Sequence, residues 1–497
     1  MRLLRAMFSA LRPATRGEGS LFLAGVNLML LNFLMVQHAA VAIRQAEVAV
    51  IIFSLAYFLV LSLGYAVSDR LSPALLRALL PLFLGAQLLL LLALQPLQYL
   101  LAAPVARWAA RHALPALLGD IAAGAVLCVL LTVCATSLYA VFLPRLTAAG
   151  AGLRRCYSVE VAGSLLGLLL VPVLAAVSHE ALLAGYCAVF LALARSVGVG
   201  RWLVGATALA AAAYIAGFSA ADRAIARWCY TRIYGWEVTA LPFVSYTPYH
   251  KIEIASGPAQ SRLLLNGRRQ FATDPSRAYA YYVAEFPARL LGAPHVALLG
   301  CGSMSTVGLI GDFVPSIRIV DLDEQVFSAS RTHFQAFNRL DSLRNWTFTP
   351  NDAKNFLANS AESFDLILHD IPPARSRQVA LTYTEEFFRL VLARLSPGGI
   401  FSISSLTPLA GDLHYSRRLL ATLGRVFPHY FVLVRHDSCY FYGGGAGLRE
   451  PTGAELLAAV APGRRHGVKF YSRAQIEALV AGEKIVTISN VGDLIYD

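Results

Sequence analysis

The feature that most constrains this chain is a set of apolar runs in its first 220 residues, each long enough to cross a bilayer. A transmembrane helix needs about 20 mostly apolar residues. Runs close to this length occupy residues 21–43, 48–68, 79–101, 119–142, 160–178, 181–196 and 202–219. They predict a multi-pass α-helical membrane bundle of about seven spans over residues 21–219, preceded by a basic N-terminal tail at 1–20.

Charge divides the chain at the same point. Residues 1–220 hold six acidic side chains, fourteen arginines and no lysine, whereas the remaining 277 residues hold 24 acidic and 28 basic side chains. Of the net charge of +12, +8 therefore falls in the first part, mainly in short connections between apolar runs. This pattern is typical of loops that face anionic cytoplasmic lipid. It predicts a protein of the inner cell membrane with a cytoplasmic soluble domain.

The distribution of arginines does not fix the number of spans. Arginines before the first run place the N-terminus inside the cell, and seven spans would then place the C-terminal half outside. Arg223, Arg227 and Arg232 follow the last run directly and place this half inside as well. Six or eight spans would satisfy both observations.

Composition excludes several other classes of protein. Hydrophobic residues make up 57% of the chain and charged residues 14%, whereas a soluble domain has about 25% charged residues. The seven cysteines show neither a CxxC pair nor a metal-type spacing, so we expect small apolar side chains in a reducing compartment and no metal site. A basic face with interleaved aromatic residues is not found, and we expect no nucleic-acid partner.

The polar half divides further. Residues 220–245 are predicted to form a basic, aromatic connector on the membrane surface, and residues 246–292 a small β-region in which Asn266–Gly267 forms a tight turn. From 293 to 440 strands alternate with helices, which predicts a Rossmann-like, doubly wound parallel sheet. Residues 441–497 form a C-terminal extension in this division.

Acidic residues follow the predicted strands at the edge where such sheets bind ligands. The turn 300–303, Gly-Cys-Gly-Ser, follows an apolar strand and lets the backbone approach a ligand closely. Asp321 comes 19 residues after Gly302, which is the spacing of an acid that binds ribose hydroxyls. Asp352 and Asp370 follow two further strands. The pattern favours a nucleoside site, with helix N-capping as the alternative for each single aspartate.

From about residue 245 to 440 these features resemble the polyamine aminopropyltransferases, the spermidine synthases. The whole chain resembles bacterial members that are fused to a multi-pass membrane segment. The resemblance implies a fold of the S-adenosylmethionine-methyltransferase type with a small N-terminal β lid. It also implies roles for individual residues: Asp370 as the catalytic base, Gly300, Gly302, Ser303, Asp321, Asp352 and Ala353 as donor-binding residues, and His250, Gln270 and Tyr279 as substrate-binding residues.

The resemblance further implies the ligands and partners. The co-substrate is decarboxylated S-adenosylmethionine, or S-adenosylmethionine itself, without a metal. The partners are a small-molecule amine, the lipid bilayer and, by analogy with relatives, a second copy of the chain in a homodimer.

The implied chemistry is a nucleophilic displacement at a carbon beside the donor's sulfonium. An amine acceptor is protonated at neutral pH, so a carboxylate within hydrogen-bonding reach, here Asp370, must expose its lone pair. The neighbouring His369 is predicted to point to the opposite face of the strand and to have a structural role.

Two positions depart from the family's pattern. Its glycine turn carries an aspartate that holds the donor's amine, where this chain has Ser303. Its active loop carries a second aspartate three residues after the base, where this chain has Pro373, with Arg375 and Arg377 close by. A polyamine acceptor is a dication, so the loss of two carboxylates weakens its binding.

Three functions therefore compete. The first is aminopropyl transfer, which Asp370, Gln270 and Tyr279 together favour. The second is methyl or aminocarboxypropyl transfer from S-adenosylmethionine on the same fold, and Ser303 and Pro373 favour this function or the third. The third is a non-catalytic transporter or sensor that binds a nucleoside or a polyamine, and the scarcity of ionisable residues in the apolar runs makes it the weakest.

Overall fold

The computed structural model describes residues 13, 15–43, 46–68, 70–100, 108, 111–112, 152–374, 376–404, 414–436 and 438–496, together with isolated residues between 125 and 140. The chain divides into two compact units, residues 1–269 and residues 270–497.

The first unit is built from long apolar helices. In its described part these are α1 (Arg16–Ile43), α2 (Ala46–Ser68), α3 (Pro73–Leu100), α4 (Leu153–Val177), α5 (His179–Ser196) and α6 (Arg201–Arg232). Five segments of the described residues are long and apolar enough to cross a membrane: Arg16–Ala39, Val50–Ser68, Ala74–Leu97, Arg154–Val177 and Arg201–Arg232.

These five segments correspond to the first, second, third, fifth and seventh predicted runs. The fourth run, 119–142, lies largely outside the described residues. The sixth run coincides with α5, which has 18 residues and is not among the five. The count of about seven spans therefore stays a prediction.

Helix α1 packs closely along α4. Its segment Arg16–Ala39 is the most buried of the five. A Cβ atom at Gly163 on α4 would lie only 2.0 Å from the carbonyl oxygen of Phe22, and one at Gly25 on α1 only 2.3 Å from that of Glu160. Membrane helices associate through such close packing of small residues. Glycine at these two positions therefore sets the separation of α1 and α4.

A small sheet follows α6. Its strands are β1 (Ala240–Tyr246), β2 (Lys251–Ser256), β3 (Ser261–Leu265) and β4 (Arg268–Ala272), in the order β1-β2-β3-β4, and β4 passes into the second unit. Strands β1, β2 and β3 pair antiparallel. The predicted turn residues Asn266 and Gly267 have φ angles of +49° and +69°, as a two-residue hairpin turn of type I′ requires.

The structure changes the boundaries predicted around this sheet. The segment predicted as a surface connector, 220–245, is helical as far as Arg232 and enters β1 at Ala240. The physical reason is burial, because Ala226 and Tyr230 on α6 pack in one apolar cluster with residues of the sheet. The small β-region thus begins before the predicted residue 246.

A buried charge network joins α6 to β2. The Nζ atom of Lys251 lies 2.9 Å from Oδ1 of Asp222 and 3.2 Å from Oε1 of Glu253, and all three side chains are no more than 1% exposed. Tyr230 donates to Oε2 of Glu253 at 2.5 Å, and Tyr246 donates to Oδ2 of Asp222 at 3.1 Å. Buried charges require such pairing and hydrogen bonding. The network therefore ties β2 to α6 at one register.

The second unit contains an eight-stranded mixed sheet in the order β12-β10-β11-β9-β8-β5-β6-β7. The strands are β5 (His295–Gly300), β6 (Ser316–Asp321), β7 (Trp346–Pro350), β8 (Phe364–Asp370), β9 (Leu395–Ser404), β10 (His429–Arg435), β11 (Ser438–Gly444) and β12 (Val468–Ser472). Strands β5 to β9 pair parallel, as predicted.

The predicted parallel pairing does not extend to β10, β11 and β12, which pair antiparallel. Only two residues separate β10 from β11, whereas a parallel connection needs a crossover of about a dozen residues or more. The predicted boundary at 440 falls inside β11, and β12 comes from the predicted extension at 441–497.

Helices cover both faces of this sheet. They are α7 (278–291, with Tyr281–Glu285 in the π form), α8 (Val307–Ile310), α9 (Glu324–His333), α10 (Gln335–Asn338), α11 (Ala353–Asn359), α12 (Arg377–Ala380), α13 (Glu385–Arg394), α14 (His414–Val426), α15 (Gly453–Ala459), α16 (Arg473–Leu479) and α17 (Gly492–Tyr496), with 3₁₀ turns at Leu340–Ser342, Leu381–Tyr383 and Pro462–Arg464. Alternate strand residues serve the two faces: Leu298 joins the cluster with Tyr282, and Leu299 the cluster with Phe387. A sheet buried on both faces is what the near-continuous apolar strands predict.

We expect Gly163→Ala to lower the melting temperature of the detergent-solubilised protein, because the added methyl group must push α1 away from α4. Overpacking of a tight contact costs about 1–3 kcal/mol. Gly205→Ala is the matched control, since a Cβ atom there meets no atom within 4 Å. Thermal melts followed by circular dichroism in one detergent compare the variants, and equal melting temperatures would contradict the proposed role of this contact.

Candidate active site

Strand register brings the predicted site residues of the second unit to one edge of the sheet. Gly300 at the end of β5 pairs with Asp370 on β8, and Asp321 at the end of β6 pairs with Pro350 on β7. Parallel strands end at a common edge, where open α/β sheets bind their ligands. Asp321 and Asp370 thus flank the end of β5.

The chain turns sharply after β5. Gly300 has φ +89°, and a Cβ atom there would lie 2.5 Å from the carbonyl oxygen of Asp370, so glycine is required. Cys301 and Met304 also lie in the left-handed region, with φ +72° and +61°, which residues with a side chain rarely adopt. The backbone N–H of Cys301 donates to the carbonyl oxygen of Asp370 at 3.3 Å. The turn is therefore fixed to the end of β8.

The carboxylate of Asp370 accepts hydrogen bonds on both of its oxygens. The hydroxyl of Tyr279 donates to Oδ1 at 2.9 Å, and the hydroxyl of Thr306 donates to Oδ2 at 3.3 Å. Burial raises the pKa of Asp370 above its ordinary value, and these hydrogen bonds oppose that rise. A carboxylate in this setting can accept a proton from a bound group.

Asp321 is a second carboxylate at the same edge, and it is half-buried. Its Oδ1 accepts a hydrogen bond from the backbone N–H of Asp323 at 3.1 Å. Burial raises the pKa of Asp321 to about 6, with the negative charges of Asp323 and Asp370 adding to the rise and backbone hydrogen bonds opposing it. Its carboxylate can accept hydrogen bonds from a pair of hydroxyl groups such as those of a ribose.

Asp352 and Ala353 begin α11. The side chain of Asp352 accepts a hydrogen bond from the backbone N–H of Asn355 at 3.0 Å, which is the N-capping geometry. Ala353 is buried in the first turn. The structure therefore gives Asp352 a capping role, whether or not it also contacts a ligand.

Ser303 lies in the turn after β5. Its hydroxyl donates to Oγ of Ser305 at 3.1 Å, and its carbonyl oxygen accepts from the side-chain amide of Asn338 at 2.9 Å. Residues 300–306 contain no charged side chain. The turn is thus held by neutral hydrogen bonds.

His369 points to the opposite face of β8 from Asp370, as the alternation of strand residues predicts. Its Nε2 lies 3.2 Å from both the carbonyl oxygen and the hydroxyl of Thr382. The ring packs edge-on against Tyr383 and Phe387. Burial lowers the pKa of His369 to about 4, so the imidazole is neutral at physiological pH.

Tyr383 anchors the loop after β8. Its hydroxyl lies 3.1 Å from the carbonyl oxygen of Ile371 and 2.9 Å from that of Pro372. The next two residues are the half-buried Pro373 and the buried Ala374, whose backbone N–H donates to the hydroxyl of Tyr415 at 3.4 Å. The position where the family has an acid therefore carries no charge.

Four further residues named in the sequence analysis remain. Arg377 is exposed at the start of α12, and Arg375 lies outside the described residues. Gln270 is exposed on β4. His250 belongs to the first unit, where its Nδ1 lies 3.4 Å from the side-chain amide of Asn266. The substrate-binding roles of His250 and Gln270 stay predictions.

Sequence reasoning does not single out Thr306 or Cys301 as partners of Asp370. Thr306 is one of several hydroxyl residues in its segment, and nothing in the spacing marks it. The available signal for Cys301 is its place between two glycines, at a turn position where the backbone conformation normally selects glycine.

The arrangement combines a proton acceptor, a second carboxylate and a glycine turn at one edge of an α/β sheet. Across the described ranges, no group of three His, Cys, Asp or Glu side chains is placed to hold a metal ion. The fold and the site define an α/β domain of the kind that binds a nucleoside-containing ligand at the carboxyl ends of its parallel strands.

Comparison with known proteins narrows this class. Residues 304–438 match the family model described as the spermine/spermidine synthase domain. Polyamine aminopropyltransferase 2 of Ralstonia nicotianae is 27% identical over 229 residues, and the polyamine aminopropyltransferase of Aeropyrum pernix is 33% identical over 181 residues. Residues 304–438 are therefore similar to the spermine/spermidine synthase domain, and part of the chain is similar to polyamine aminopropyltransferases.

The matches cover part of each protein. They span 45% of this chain and 43% of the Ralstonia relative, and 34% of this chain and 55% of the Aeropyrum relative. A solved spermidine synthase in complex with the transition state analogue AdoDATO aligns with 52% of this chain and 89% of its own, at 17% identity and a TM-score of 0.39.

We expect the neutral, buried His369 to make the protein less stable in acid. Its folded pKa is about 4 and its unfolded value about 6.5, so the unfolded state binds the proton more readily as the pH falls from 6.5 towards 4. The free energy of unfolding lost at pH 5 is about 2 kcal/mol. His369→Gln should therefore show a smaller drop in melting temperature between pH 7.5 and pH 5 than the unsubstituted protein.

The control for this titration is His295→Gln, which replaces an exposed histidine on β5. It should keep the full drop in melting temperature between the two pH values. An equal drop in His369→Gln would show that the imidazole of His369 does not titrate in this range.

Proposed function

We propose that this protein is a membrane-embedded transferase of the spermidine synthase type, which moves an aminopropyl group from decarboxylated S-adenosylmethionine to an amine. The observation that carries the proposal is the carboxylate of Asp370. It is half-buried, accepts a hydrogen bond from Tyr279 at 2.9 Å and lies beside the turn at Gly300, in a segment that matches the spermine/spermidine synthase domain.

In the proposed reaction the acceptor's nitrogen attacks the donor carbon beside the sulfonium. The new C–N bond forms as the C–S bond breaks, methylthioadenosine leaves with the electron pair of that bond, and the acceptor's proton passes to Asp370. The sulfonium is already a good leaving group, so the protein contributes alignment and removal of the proton. Tyr279 orients the carboxylate that receives the proton.

Donor binding falls to the carboxyl edge of the sheet in this proposal. Asp321 would bind the ribose hydroxyls, and the turn formed by Gly300, Gly302 and Ser303 would let the backbone approach the donor. Asp352 and Ala353 would border the adenine, with the carboxylate of Asp352 also occupied by its cap. The missing side chains of Gly300 and Gly302 let this turn pack against Asp370 and Val326, since added Cβ atoms would lie 2.5 and 2.3 Å from atoms of those residues.

A second candidate is transfer of a methyl or aminocarboxypropyl group from S-adenosylmethionine itself. The observation in its favour is the neutral turn 300–306, in which the hydroxyl of Ser303 bonds to Ser305. A turn without a carboxylate does not repel the carboxylate that this donor retains. The two candidates share Asp321 and differ in the donor that they require.

We propose that the helices of the first unit lie in the bilayer. Helix α6 has 32 residues and is about 48 Å long, which exceeds the hydrocarbon thickness of about 30 Å. Trp202 and Trp228 near its two ends are 82% and 50% exposed. They are about 39 Å apart along the helix, close to the full bilayer thickness of about 40–45 Å. Exposed tryptophans at both interfaces are typical of membrane helices.

The donor assay tests the proposed reaction. Detergent-solubilised protein is given putrescine with decarboxylated or ordinary S-adenosylmethionine, and release of methylthioadenosine is measured. We expect release with the decarboxylated donor and a loss of at least about 100-fold in Asp370→Asn, because general-base catalysis contributes about 10²–10⁴. Asp312→Asn, which alters an exposed ion pair, should keep full activity.

The outcomes of this assay decide between the two candidate functions and test the role of Asp370. Turnover with ordinary S-adenosylmethionine alone would replace the first candidate by the second. No product from either donor, under conditions where a known spermidine synthase is active, would refute both. Full activity in Asp370→Asn would remove Asp370 as the base.

We expect methylthioadenosine to bind more tightly as the pH rises through 6. The pKa of Asp321 is raised to about 6 in the free protein, so its carboxylate is mostly protonated at pH 5 and cannot accept two hydroxyl hydrogen bonds. Affinity should increase about tenfold between pH 5 and pH 7. Isothermal titration calorimetry measures this change. Asp321→Asn should bind weakly at both pH values, and Asp312→Asn should keep the increase; a flat profile in the unsubstituted protein would contradict the assignment.

A further inference from the structure

We infer that Cys301 and Thr306 are positioning residues, which hold the carboxylate of Asp370 in one orientation through hydrogen bonds to its side chain. The inference rests on the proposed function, because it takes Asp370 as the base. Neither residue touches a reacting atom in this scheme, and both act through Asp370.

The geometry assigns a separate donor to each carboxylate oxygen. Tyr279 binds Oδ1 at 2.9 Å, and Thr306 binds Oδ2 at 3.3 Å. In this inference the thiol of Cys301 donates to the same carboxylate, which lowers the pKa of Asp370. Thr306 is fully buried and Cys301 only 4% exposed, so water does not replace these donors. A carboxylate has about four lone-pair sites, which leaves room for the acceptor's proton.

The backbone at Cys301 points to a use for its side chain. With φ +72°, Cys301 has a conformation that glycine adopts freely and that residues with a Cβ atom rarely adopt. Its backbone N–H donates to the carbonyl oxygen of Asp370 at 3.3 Å, and its buried thiol lies near Asp370 and Thr306. A turn that needed only its backbone shape would be better served by glycine. The thiol contact offsets the strain.

The donors also oppose the effect of burial on Asp370. Burial favours the neutral carboxyl and raises its pKa, whereas hydrogen bonds to the charged form from Tyr279, Cys301 and Thr306 lower it. Burial and the nearby charge of Asp370 raise the pKa of the Cys301 thiol, so it stays a donor.

The other titratable groups that act on this carboxylate are Asp321, at the end of β6, and Tyr383, in the turn after α12. Substitution of Thr306 or Cys301 leaves both of them in place. A change in the titration of Asp370 in such variants therefore reports the lost donor.

The first test is the pH profile of kcat/KM with the donor that supports turnover. Thr306→Val keeps the shape of the side chain and removes the hydroxyl, so the acidic limb should move up by about one pH unit. Thr306→Ser keeps the hydroxyl and should restore the limb. A limb that stays in place in Thr306→Val would overturn the role of Thr306.

The matched pair for the thiol is Cys301→Ala and Cys301→Gly. Both remove the thiol, but only glycine relieves the backbone strain. We expect the acidic limb to rise equally in both, whatever their melting temperatures. Cys301 would have a structural role only if the shift of the acidic limb in the two variants paralleled their loss of melting temperature. The same conclusion would follow if the limb moved in neither variant.

A measurement without substrate separates this inference from the proposed function. Protein labelled with ¹³C at the aspartate carboxyls is titrated by infrared spectroscopy, and Asp370→Asn identifies the band of Asp370. The midpoint of that band should rise in Thr306→Val, Cys301→Ala and Cys301→Gly and return in Thr306→Ser. If the midpoint rises in the variants but the protein turns over neither donor, the positioning roles of Cys301 and Thr306 stand and the proposed function is refuted. If the midpoint is unchanged while the variants remain active, the positioning roles are refuted and the proposed function stands.

Discussion

The close approach of β5 and β8 is the constraint on which the site depends. The two strands pair Gly300 with Asp370, and a Cβ atom at 300 would lie 2.5 Å from the carbonyl oxygen of Asp370. Because the backbone passes this close, the N–H of Cys301 and the hydroxyl of Thr306 both reach Asp370. A side chain at 300 would separate the strands and remove these contacts together. The absence of a side chain at Gly300 thus sets the geometry of the proposed base, Asp370.

The parallel core of the second unit could be predicted from the sequence, because its strands are apolar runs that end in a glycine turn or an acid. The strands predicted before the turn 300–303, before Asp321 and before Asp370 are observed as β5, β6 and β8. The antiparallel strands could not be predicted in the same way. A strand buried on both faces has the same apolar pattern in either direction, so only the short connection after Arg435 indicates the reversal.

The site was predictable only in part, for a related reason. Asp321 and Asp370 are marked by their place after strands, but the partners of Asp370 lie far from it in the sequence. Thr306 is 64 residues away and Tyr279 is 91 residues away. Periodicity and spacing describe neighbours along the chain, whereas these contacts are made by the packing of separate elements. Tyr279 entered through a family resemblance, and Thr306 had no signal at all.

The ribosome adds Asp222 to the growing chain well before it adds Lys251. Asp222 lies on α6, and the lysine that neutralises it comes 29 residues later and is the first in the chain. A growing chain therefore carries an uncompensated carboxylate just after the apolar stretch of α6, and burying such a charge alone is costly. The last turns of α6 can reach their native environment only once β2 has been translated. Completion of the helical unit is thus coupled in time to the folding of the sheet.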